Sequence, residues 1–215
     1  MNRVFTIEQL RPIKSGMTIS RNAGLGPDNT VTFFSLGENT SISQECYDTA
    51  AVYLGATGEA LFLLGPDSPA KPLTPGDMLV VPGGTLCGVE TTAGTVYTEI
   101  IIKKEKLMNN IIKSGEVLKL KDLISYEEGS IANLDVVRND TMKFVLMAFD
   151  EGTGLTPHRA PGNAILFALE GKATIGYEGQ DFTLSAGESF RFDKNGLHSV
   201  TAEGRFKMAL LLVLE

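Results

Sequence analysis

The two histidines, His158 and His198, are the residues in this sequence best suited to chemistry, and they are its only histidines. An imidazole titrates near physiological pH, so it can exchange a proton or meet an anionic group as a cation. Its neutral form is also a common transition-metal ligand. Two imidazoles alone make a weak metal site, because water, substrate or another side chain must complete the coordination. The sequence leaves open a small-molecule pocket, a metal site and a purely structural pair.

The two cysteines, Cys46 and Cys87, are the other candidate reactive groups. Two thiols can act as soft metal ligands or as a redox pair. Free cysteines more often behave as small buried hydrophobes, and we favour that interpretation because only Glu45 accompanies them. Neither histidine has a serine or cysteine partner that the sequence identifies, so no nucleophilic triad is predicted.

The segments that must position these residues occur twice. Residues 32–39 and 52–62 align with 145–152 and 165–175 at one common offset, and 73–82 align with 184–193 at a slightly shorter one. The alignment places Gly58 on Gly171 and Cys87 on His198. The change of offset falls in a turn, where changes of length are tolerated. This pattern predicts a tandem repeat of one structural unit.

Each repeat is predicted to be all-β. Short β-branched or aromatic runs alternate with turn clusters of Gly, Pro, Asp and Asn, which is typical of an antiparallel sandwich or barrel. The predicted strands are 31–36, 51–54, 59–64, 78–81, 97–102, 143–149, 164–169, 173–177, 189–192 and 206–214. Helix is scarce, with single turns expected at 7–10 and 118–124. Residues 103–117 are expected to link the repeats and to form the first strand of the second, which gives domains at 1–107 and 112–215.

Composition and hydropathy argue against some classes of partner. The chain has 215 residues and a net charge of −7, with its basic residues scattered, so no nucleic-acid partner is expected. No apolar run is long enough for a transmembrane helix, and the N-terminus lacks a signal-peptide pattern, so we expect a cytoplasmic protein with no membrane partner. The expected partner is a small molecule, and a homodimer is a further expectation.

Residues 154–171 and 187–198 resemble the two sequence motifs of the cupin superfamily. The resemblance implies a bicupin, in which two tandem jelly-roll-like barrels (double-stranded β-helices) make up the chain. His158 occupies the first histidine position of the first motif, and His198 the histidine position of the second. Ala160 and Ala164 replace the second histidine and the glutamate of the usual ligand set.

The first repeat resembles the same superfamily with different substitutions. Residues 75–87 are similar to the second motif but end in Cys87 where a metallocupin has histidine. Glu45, Tyr47 and Ala51 occupy the ligand positions of the first motif. The resemblance therefore implies a degenerate first barrel.

The second half also resembles a narrower group of small single-domain bacterial cupins of unassigned function. The shared pattern includes GLTPHRAPGNAILFALEGKATI at 154–175, LSAGE at 184–188, His198, Ala202 and 206–208. This similarity covers about half of the chain. It implies a cupin barrel without implying an activity.

These resemblances imply a pocket in the second barrel that is roomier and more apolar than a metallocupin centre. Its expected ligand-binding residues are His158, His198, Asn163, Phe190 and Phe192. We expect binding of a small metabolite without tight metal, and no enzymatic activity. The alternative is a metal-dependent isomerase, lyase or dioxygenase that holds Fe, Ni, Mn or Zn at His158 and His198. A third interpretation is an assembly scaffold.

Overall fold

The computed structural model describes residues 3–26, 30–66, 68–103 and 111–214. These residues separate into two compact units. The first unit contains the described residues of 7–103 together with 111–119, and the second contains 3–6 together with 120–214. Within these residues, no helix is long and apolar enough to cross a membrane.

The first unit is built from antiparallel strands. Its elements are α1 Ile7–Leu10, β2 Thr18–Asn22, β3 Val31–Leu36, β4 Thr40–Cys46, β5 Ala50–Gly58, β6 Ala60–Leu64, β7 Lys71–Leu73, β8 Asp77–Val81, β9 Leu86–Thr91, β10 Thr95–Ile102 and β11 Val117–Lys119. They form a six-stranded sheet in the order β11-β8-β5-β10-β3-β2 and a four-stranded sheet in the order β4-β9-β6-β7.

The second unit repeats this plan. Its elements are β1 Val4–Phe5, a 3₁₀ turn Leu120–Asp122, β12 Ile131–Arg138, β13 Met142–Phe149, β14 Gly154–Arg159, β15 Asn163–Glu170, β16 Lys172–Tyr177, β17 Gln180–Ser185, β18 Ser189–Phe192, β19 Leu197–Ala202 and β20 Phe206–Val213. The sheet orders are β1-β18-β15-β20-β13-β12 and β14-β19-β16-β17. Strand for strand, these orders match those of the first unit.

Apolar side chains of each unit form one core. Strand alternation turns one face of each sheet inward, and these faces bury the large residues. In the first unit the core contains Leu36, Tyr53, Phe62, Leu79 and Tyr97. In the second it contains Phe149, Leu166, Phe190, Phe192 and Phe206. The predicted all-β barrel class is therefore confirmed.

The predicted strands correspond closely to observed ones, but the strands that hold the two histidines were not predicted. Residues 31–36 and 189–192 have the predicted bounds. Strands β4, β9, β14 and β19 lack a predicted counterpart. Residues of β14 are almost all exposed, so its sequence has no apolar alternation to reveal it.

Two short strands depart from the expected boundaries. Val4 on β1 pairs with Phe190 on β18, so the N-terminal segment completes the second unit. Val117 on β11 pairs with Leu79 on β8, so this strand extends the first unit instead of opening the second. A strand of two or three residues contains no pattern that identifies its partner sheet. The predicted linker residues 104–110 lie outside the described residues.

Gly58 and Gly171, which the repeat aligns, occupy equivalent tight positions. Their φ angles are +69° and +76°, a region that favours glycine. A Cβ at Gly58 would lie 2.1 Å from the carbonyl oxygen of Gly94, and one at Gly171 would lie 2.0 Å from that of Arg205. Each unit therefore requires glycine at this β-turn for both conformation and space.

Candidate functional site

The structure brings the two histidines together on neighbouring strands. His158 on β14 lies directly opposite His198 on β19 in the antiparallel register. Their ring centroids are 4.2 Å apart, with the ring planes inclined by 53°. Residues opposite each other on adjacent strands share one face of the sheet, so both imidazoles point to the same side.

Backbone carbonyls fix the tautomer of both rings. Nδ1 of His158 lies 2.8 Å from the carbonyl oxygen of Thr156, and Nδ1 of His198 lies 2.9 Å from that of Gly196. A carbonyl oxygen only accepts hydrogen bonds, so each Nδ1 carries the donated proton. In the neutral rings, Nε2 is therefore the nitrogen with a lone pair available to a ligand.

His198 lies in an environment that disfavours its charged form. Only 7% of the residue is exposed, and the Phe192 ring centroid lies 4.5 Å from the imidazole centroid. Burial lowers the pKa of His198, and positive charge on His158 would lower it further, although the hydrogen bond to Gly196 opposes this shift. His198 is therefore neutral at neutral pH, whereas the His158 side chain lies exposed beside it.

A cleft of about 220 Å³ adjoins His198. It lies between the β16–β17 turn and the start of β19. The residues that line it are Pro157, Gly176, Tyr177, Glu178, Gly179, Gln180, Asp181, Leu197, His198 and Ser199. It combines apolar surface with carboxylate, amide and hydroxyl groups.

Phe190 and Phe192 do not line this cleft, and their predicted role in ligand binding stays a prediction. They are 0% and 2% exposed, with ring centroids 4.8 Å apart inside the core. Ala164 lies opposite Phe192 in the strand register and belongs to the same core cluster as both rings. Phe192 instead supports the His198 ring.

Asn163 holds a turn beside the site. Its Oδ1 accepts a hydrogen bond of 3.0 Å from the backbone N–H of Lys194. This bond fixes the 193–196 turn that leads into β19 and His198. The structure gives Asn163 a positioning contact, while its predicted role in ligand binding stays a prediction.

The N-terminal segment fixes the same turn from another side. Arg3 forms an ion pair of 2.8 Å with Asp193, and its guanidinium lies 4.2 Å from the centroid of the Tyr177 ring. Asp193 occupies the position where the cupin motif has proline. The ion pair and the aromatic contact therefore stabilise a turn that lacks the rigid residue of the motif.

The equivalent position of the first unit holds an acid and a thiol. Glu45 on β4 lies directly opposite Cys87 on β9, in the register that His158 and His198 have in the second unit. Burial raises the pKa of Cys87 to about 11, so its thiol is protonated at neutral pH. Cys46 is exposed and adjoins Glu45, so strand alternation turns it to the opposite face from Cys87. The thiols are free and do not form a redox pair within the sheet.

Sequence analysis missed Glu99, a half-buried acid on β10. Glu99 lies opposite Tyr53 on β5, and a hydrogen bond between the two side chains opposes the rise in the pKa of Glu99 that burial causes. The signal in the sequence was an acid inside the strand TVYTEIII, where alternation places it on the same face as Tyr97. The equivalent strand of the second unit is FKMALLLV, which has no acid.

The sequence of the second unit matches a known family. The Cupin domain family (Cupin_2) matches residues 145–214, which run from β13 to the end of β20. No curated protein matches the chain significantly.

Residues 145–214 therefore belong to the cupin superfamily.

Solved structures extend this likeness of fold to both units of the chain. A Cupin 2 conserved barrel domain protein from Leptotrichia buccalis superposes with a TM-score of 0.83 at 23% identity, covering 98% of this chain and 95% of that one. A salicylate 1,2-dioxygenase from Pseudaminobacter salicylatoxidans superposes with a TM-score of 0.67 at 14% identity. That match covers 98% of this chain and 83% of the dioxygenase. At these identities, the comparisons show a shared fold.

The residues around the histidine pair do not fit the four-ligand metal centre that the cupin motifs imply. The ligand positions of the second unit hold two imidazoles, at His158 and His198, together with Ala160 and Ala164. Within the described ranges, no cluster of three or more His, Cys, Asp or Glu side chains has the geometry to hold a metal ion. Among the described residues, the two Nε2 atoms are the whole contribution to such a centre, so any metal there needs exogenous ligands.

Proposed function

We propose that this cupin binds a small metabolite at the histidine pair of its second barrel, without a tightly bound metal and without catalysis. Two observations support it: the fixed tautomer of both rings, which leaves Nε2 of each neutral histidine without a proton, and a cleft of about 220 Å³ that His198 helps to line. Small-molecule sites combine apolar surface with a few placed polar groups, as this cleft does.

The preferred ligand has hydrogen-bond donors. The lowered pKa of His198 keeps its ring neutral, so its Nε2 accepts a hydrogen bond at neutral pH. Asp181 adds a carboxylate to the lining, and Ser199 adds a hydroxyl. Hydroxyl or amino groups of the ligand would satisfy these acceptors, and Pro157 and Leu197 would cover its apolar part. A ligand with anionic groups alone would meet repulsion from the acids.

Screening of small polyols, hydroxy acids and amino alcohols by ligand-observed NMR tests this proposal. Compounds that bind the wild type should bind His198→Ala at least about tenfold more weakly, because a buried acceptor is lost. Cys87→Ala, the equivalent change in the first barrel, is the matched control and should leave binding unchanged. Methylation of a ligand hydroxyl should also weaken binding. Unchanged binding to His198→Ala, or no binder in any of the three classes, would contradict the proposal.

A two-histidine metal enzyme is the second candidate, and the fixed tautomers favour it too. Histidines that bind metals usually donate their other ring N–H to a carbonyl or carboxylate, as His158 and His198 do. Elemental analysis of protein from cells grown with Fe, Ni, Mn and Zn distinguishes the candidates. About one ion per chain, absent from the His158→Ala, His198→Ala double variant, would support the metal site. The first proposal predicts far less than one ion in both proteins.

We also propose that the two barrels arose by duplication of one cupin domain. The matching strand order of the units and the equivalent glycines Gly58 and Gly171 support this origin. On this proposal the first barrel lost its histidines and the second lost two other ligands, so their ligand chemistry diverged.

A further inference from the structure

The internal repeat allows the cleft of the second unit to be compared with the equivalent place in the first. Four of the residues that line the cleft have clear equivalents there: Pro157, Gly176, Glu178 and Ser199. Their equivalents, in that order, are Gln44, Leu63, Gly65 and Gly88. The backbone hydrogen bonds agree with this alignment, because the N–H of Gly65 donates to Leu86 and that of Glu178 donates to Leu197. The two units can therefore be compared residue by residue at this place.

A glutamine side chain fills this place in the first unit. Nε2 of Gln44 donates hydrogen bonds of 3.2 Å to the carbonyl oxygens of Leu63 and Gly65. Gln44 lies on β4 and Leu63 on β6, so the carboxamide reaches across the intervening strand β9. Gly88 on β9 makes room for it, since an added Cβ would lie 2.8 Å from Cγ of Gln44. The first unit thus supplies its own amide donor to these two carbonyl groups.

The second unit lacks this donor. Pro157 stands where the first unit has Gln44, and a proline side chain has no N–H to donate. Among the residues that the structure describes, no side chain donates to the carbonyl oxygens of Gly176 or Glu178. Each carbonyl oxygen has two lone pairs, so it can accept a bond from a ligand as well as one from the backbone. The cleft of about 220 Å³ therefore lies where the first unit has a carboxamide.

Two side-chain oxygens add acceptors to the same cleft. A Cβ added to Gly176 would lie 2.5 Å from Oγ of Ser199 and 3.5 Å from Oδ1 of Asp181, so glycine lets both oxygens approach the strand. Within the described part of the chain, neither side chain has a hydrogen-bond or ion-pair partner. Pro157 and Leu197 add apolar surface beside these acceptors. A ligand with two N–H donors on an apolar body matches this lining.

We propose that this cleft binds the primary amide group of a small molecule, which takes the place that the Gln44 carboxamide has in the first unit. The NH₂ group of the ligand donates to the carbonyl oxygens of Gly176 and Glu178, and its apolar part lies against Pro157 and Leu197. This site goes beyond the proposed function because it uses none of the imidazole atoms. The two ligand assignments can therefore succeed or fail separately.

Titration of the ¹⁵N-labelled protein with benzamide, followed by ¹H–¹⁵N NMR, tests this site. Benzamide has a primary amide on an apolar ring, and N,N-dimethylbenzamide is the matched probe without an N–H. Benzamide should shift the backbone amides of residues 176–181, and it should bind at least about tenfold more tightly than the dimethyl compound, which cannot make the two hydrogen bonds. His198→Ala should retain this preference, because the amide does not contact the imidazole.

A double variant that rebuilds the arrangement of the first unit should close the cleft. Pro157→Gln with Ser199→Gly reproduces the pair Gln44 and Gly88, so its own carboxamide should occupy the carbonyl groups and abolish benzamide binding. It should fold, because the first unit contains the same pair, and thermal unfolding checks this. Pro157→Ala with Ser199→Gly is the matched control. It should bind both compounds more weakly, through loss of apolar contact, but should keep the preference for benzamide.

Three results would overturn the assignment. The first is equal binding of benzamide and its dimethyl derivative to the wild type, which decides the matter even if the double variant does not fold. The second is unchanged benzamide binding in a folded Pro157→Gln, Ser199→Gly variant. The third is no saturable binding of benzamide up to about 10 mM, the weak end of specific binding.

A parallel titration with benzylammonium separates an amide site from a cation site. Benzylammonium that binds more tightly than benzamide, and loses this advantage in Asp181→Asn, would assign the cleft to a cation and contradict the amide. Weaker binding of benzylammonium would support the amide. Failure of the amide together with His198-dependent binding of hydroxyl ligands would leave the proposed function intact.

Discussion

His158 and His198 are cross-strand neighbours, with their ring centroids 4.2 Å apart and each Nδ1 bonded to a backbone carbonyl two residues earlier. The strands fix the separation of the rings, and the carbonyls fix their tautomers. Neither ring depends on the other for its orientation. A ligand bound as proposed would meet rings that are already oriented, which would limit the ordering cost of binding.

Acidification should destabilise the protein through His198. Its folded pKa lies below the ordinary value of 6.5, so the unfolded chain takes up a proton first as the pH falls. The contribution of neutral His198 to the free energy of unfolding is fully present above about pH 6.5. It is lost as the pH falls from there toward the lower folded pKa. Urea unfolding at several pH values measures this slope. His198→Gln should flatten the slope just below pH 6.5, and an unchanged slope would contradict the neutral buried ring.

Alanine at the equivalent glycines should be strongly destabilising in both units. Gly58→Ala and Gly171→Ala each place a Cβ against a carbonyl oxygen in a left-handed conformation, at a cost of about 2–5 kcal/mol. Gly152→Ala is the matched control, because its φ is +75° but no atom lies within 4 Å of the added Cβ. It should cost about 1–2 kcal/mol. Chemical unfolding measures the loss of unfolding free energy in each variant. Equal losses in all three would contradict the close approach of the added Cβ to a carbonyl oxygen at Gly58 and Gly171.

Phe190→Ala should behave as a core mutation. The residue is fully buried and contacts the rings of Tyr177, Phe182 and Phe192. The resulting cavity should lower the free energy of unfolding by about 3–5 kcal/mol. A loss below about 1 kcal/mol, combined with weaker ligand binding, would instead restore the prediction that Phe190 lines a pocket.

Loss of the Arg3 side chain should loosen the edge of the second unit. Arg3 pairs with Asp193, covers the Tyr177 ring and accepts a backbone hydrogen bond from Arg191 at its carbonyl oxygen. Because the ion pair is partly exposed, Arg3→Ala should lower stability by only about 0.5–1 kcal/mol. Hydrogen exchange should show faster exchange at the Arg191 amide than in the wild type. Unchanged exchange there would mean that β1 stays in place without the side chain.

The strands that form the core could be predicted from the sequence, whereas the strands that hold the two histidines could not. The run 189–192 alternates apolar residues and was predicted with its observed bounds, because burial of one face imposes that pattern. Strand β14, which holds His158, exposes most of its residues and has no such pattern. Only the resemblance to the cupin motifs placed His158 near His198.

Long-range pairing accounts for the other omissions. The two-residue strand β1 joins β18 across most of the chain, and no local pattern encodes that partner. Glu99 was overlooked because an isolated acid in an apolar run cannot be recognised as a candidate site residue until Tyr53 is known to lie opposite it. Likewise, Phe190 and Phe192 have the composition of a pocket lining, and only packing identifies them as core.

The central claim is that the Nδ1–H bonds of His158 and His198 to backbone carbonyls direct both Nε2 atoms to one ligand. A long-range ¹H–¹⁵N NMR spectrum of the imidazole rings, recorded on chelator-treated protein at about pH 7.5, measures this directly because the ¹⁵N shifts distinguish the tautomers and the charged form. The account predicts Nδ1–H in the His198 ring and in the neutral form of His158, with Nε2 shifts of both rings that change when a hydroxyl or amine ligand binds. Protonation of His198 at Nε2, or ligand binding that leaves both Nε2 shifts unchanged, would contradict the account.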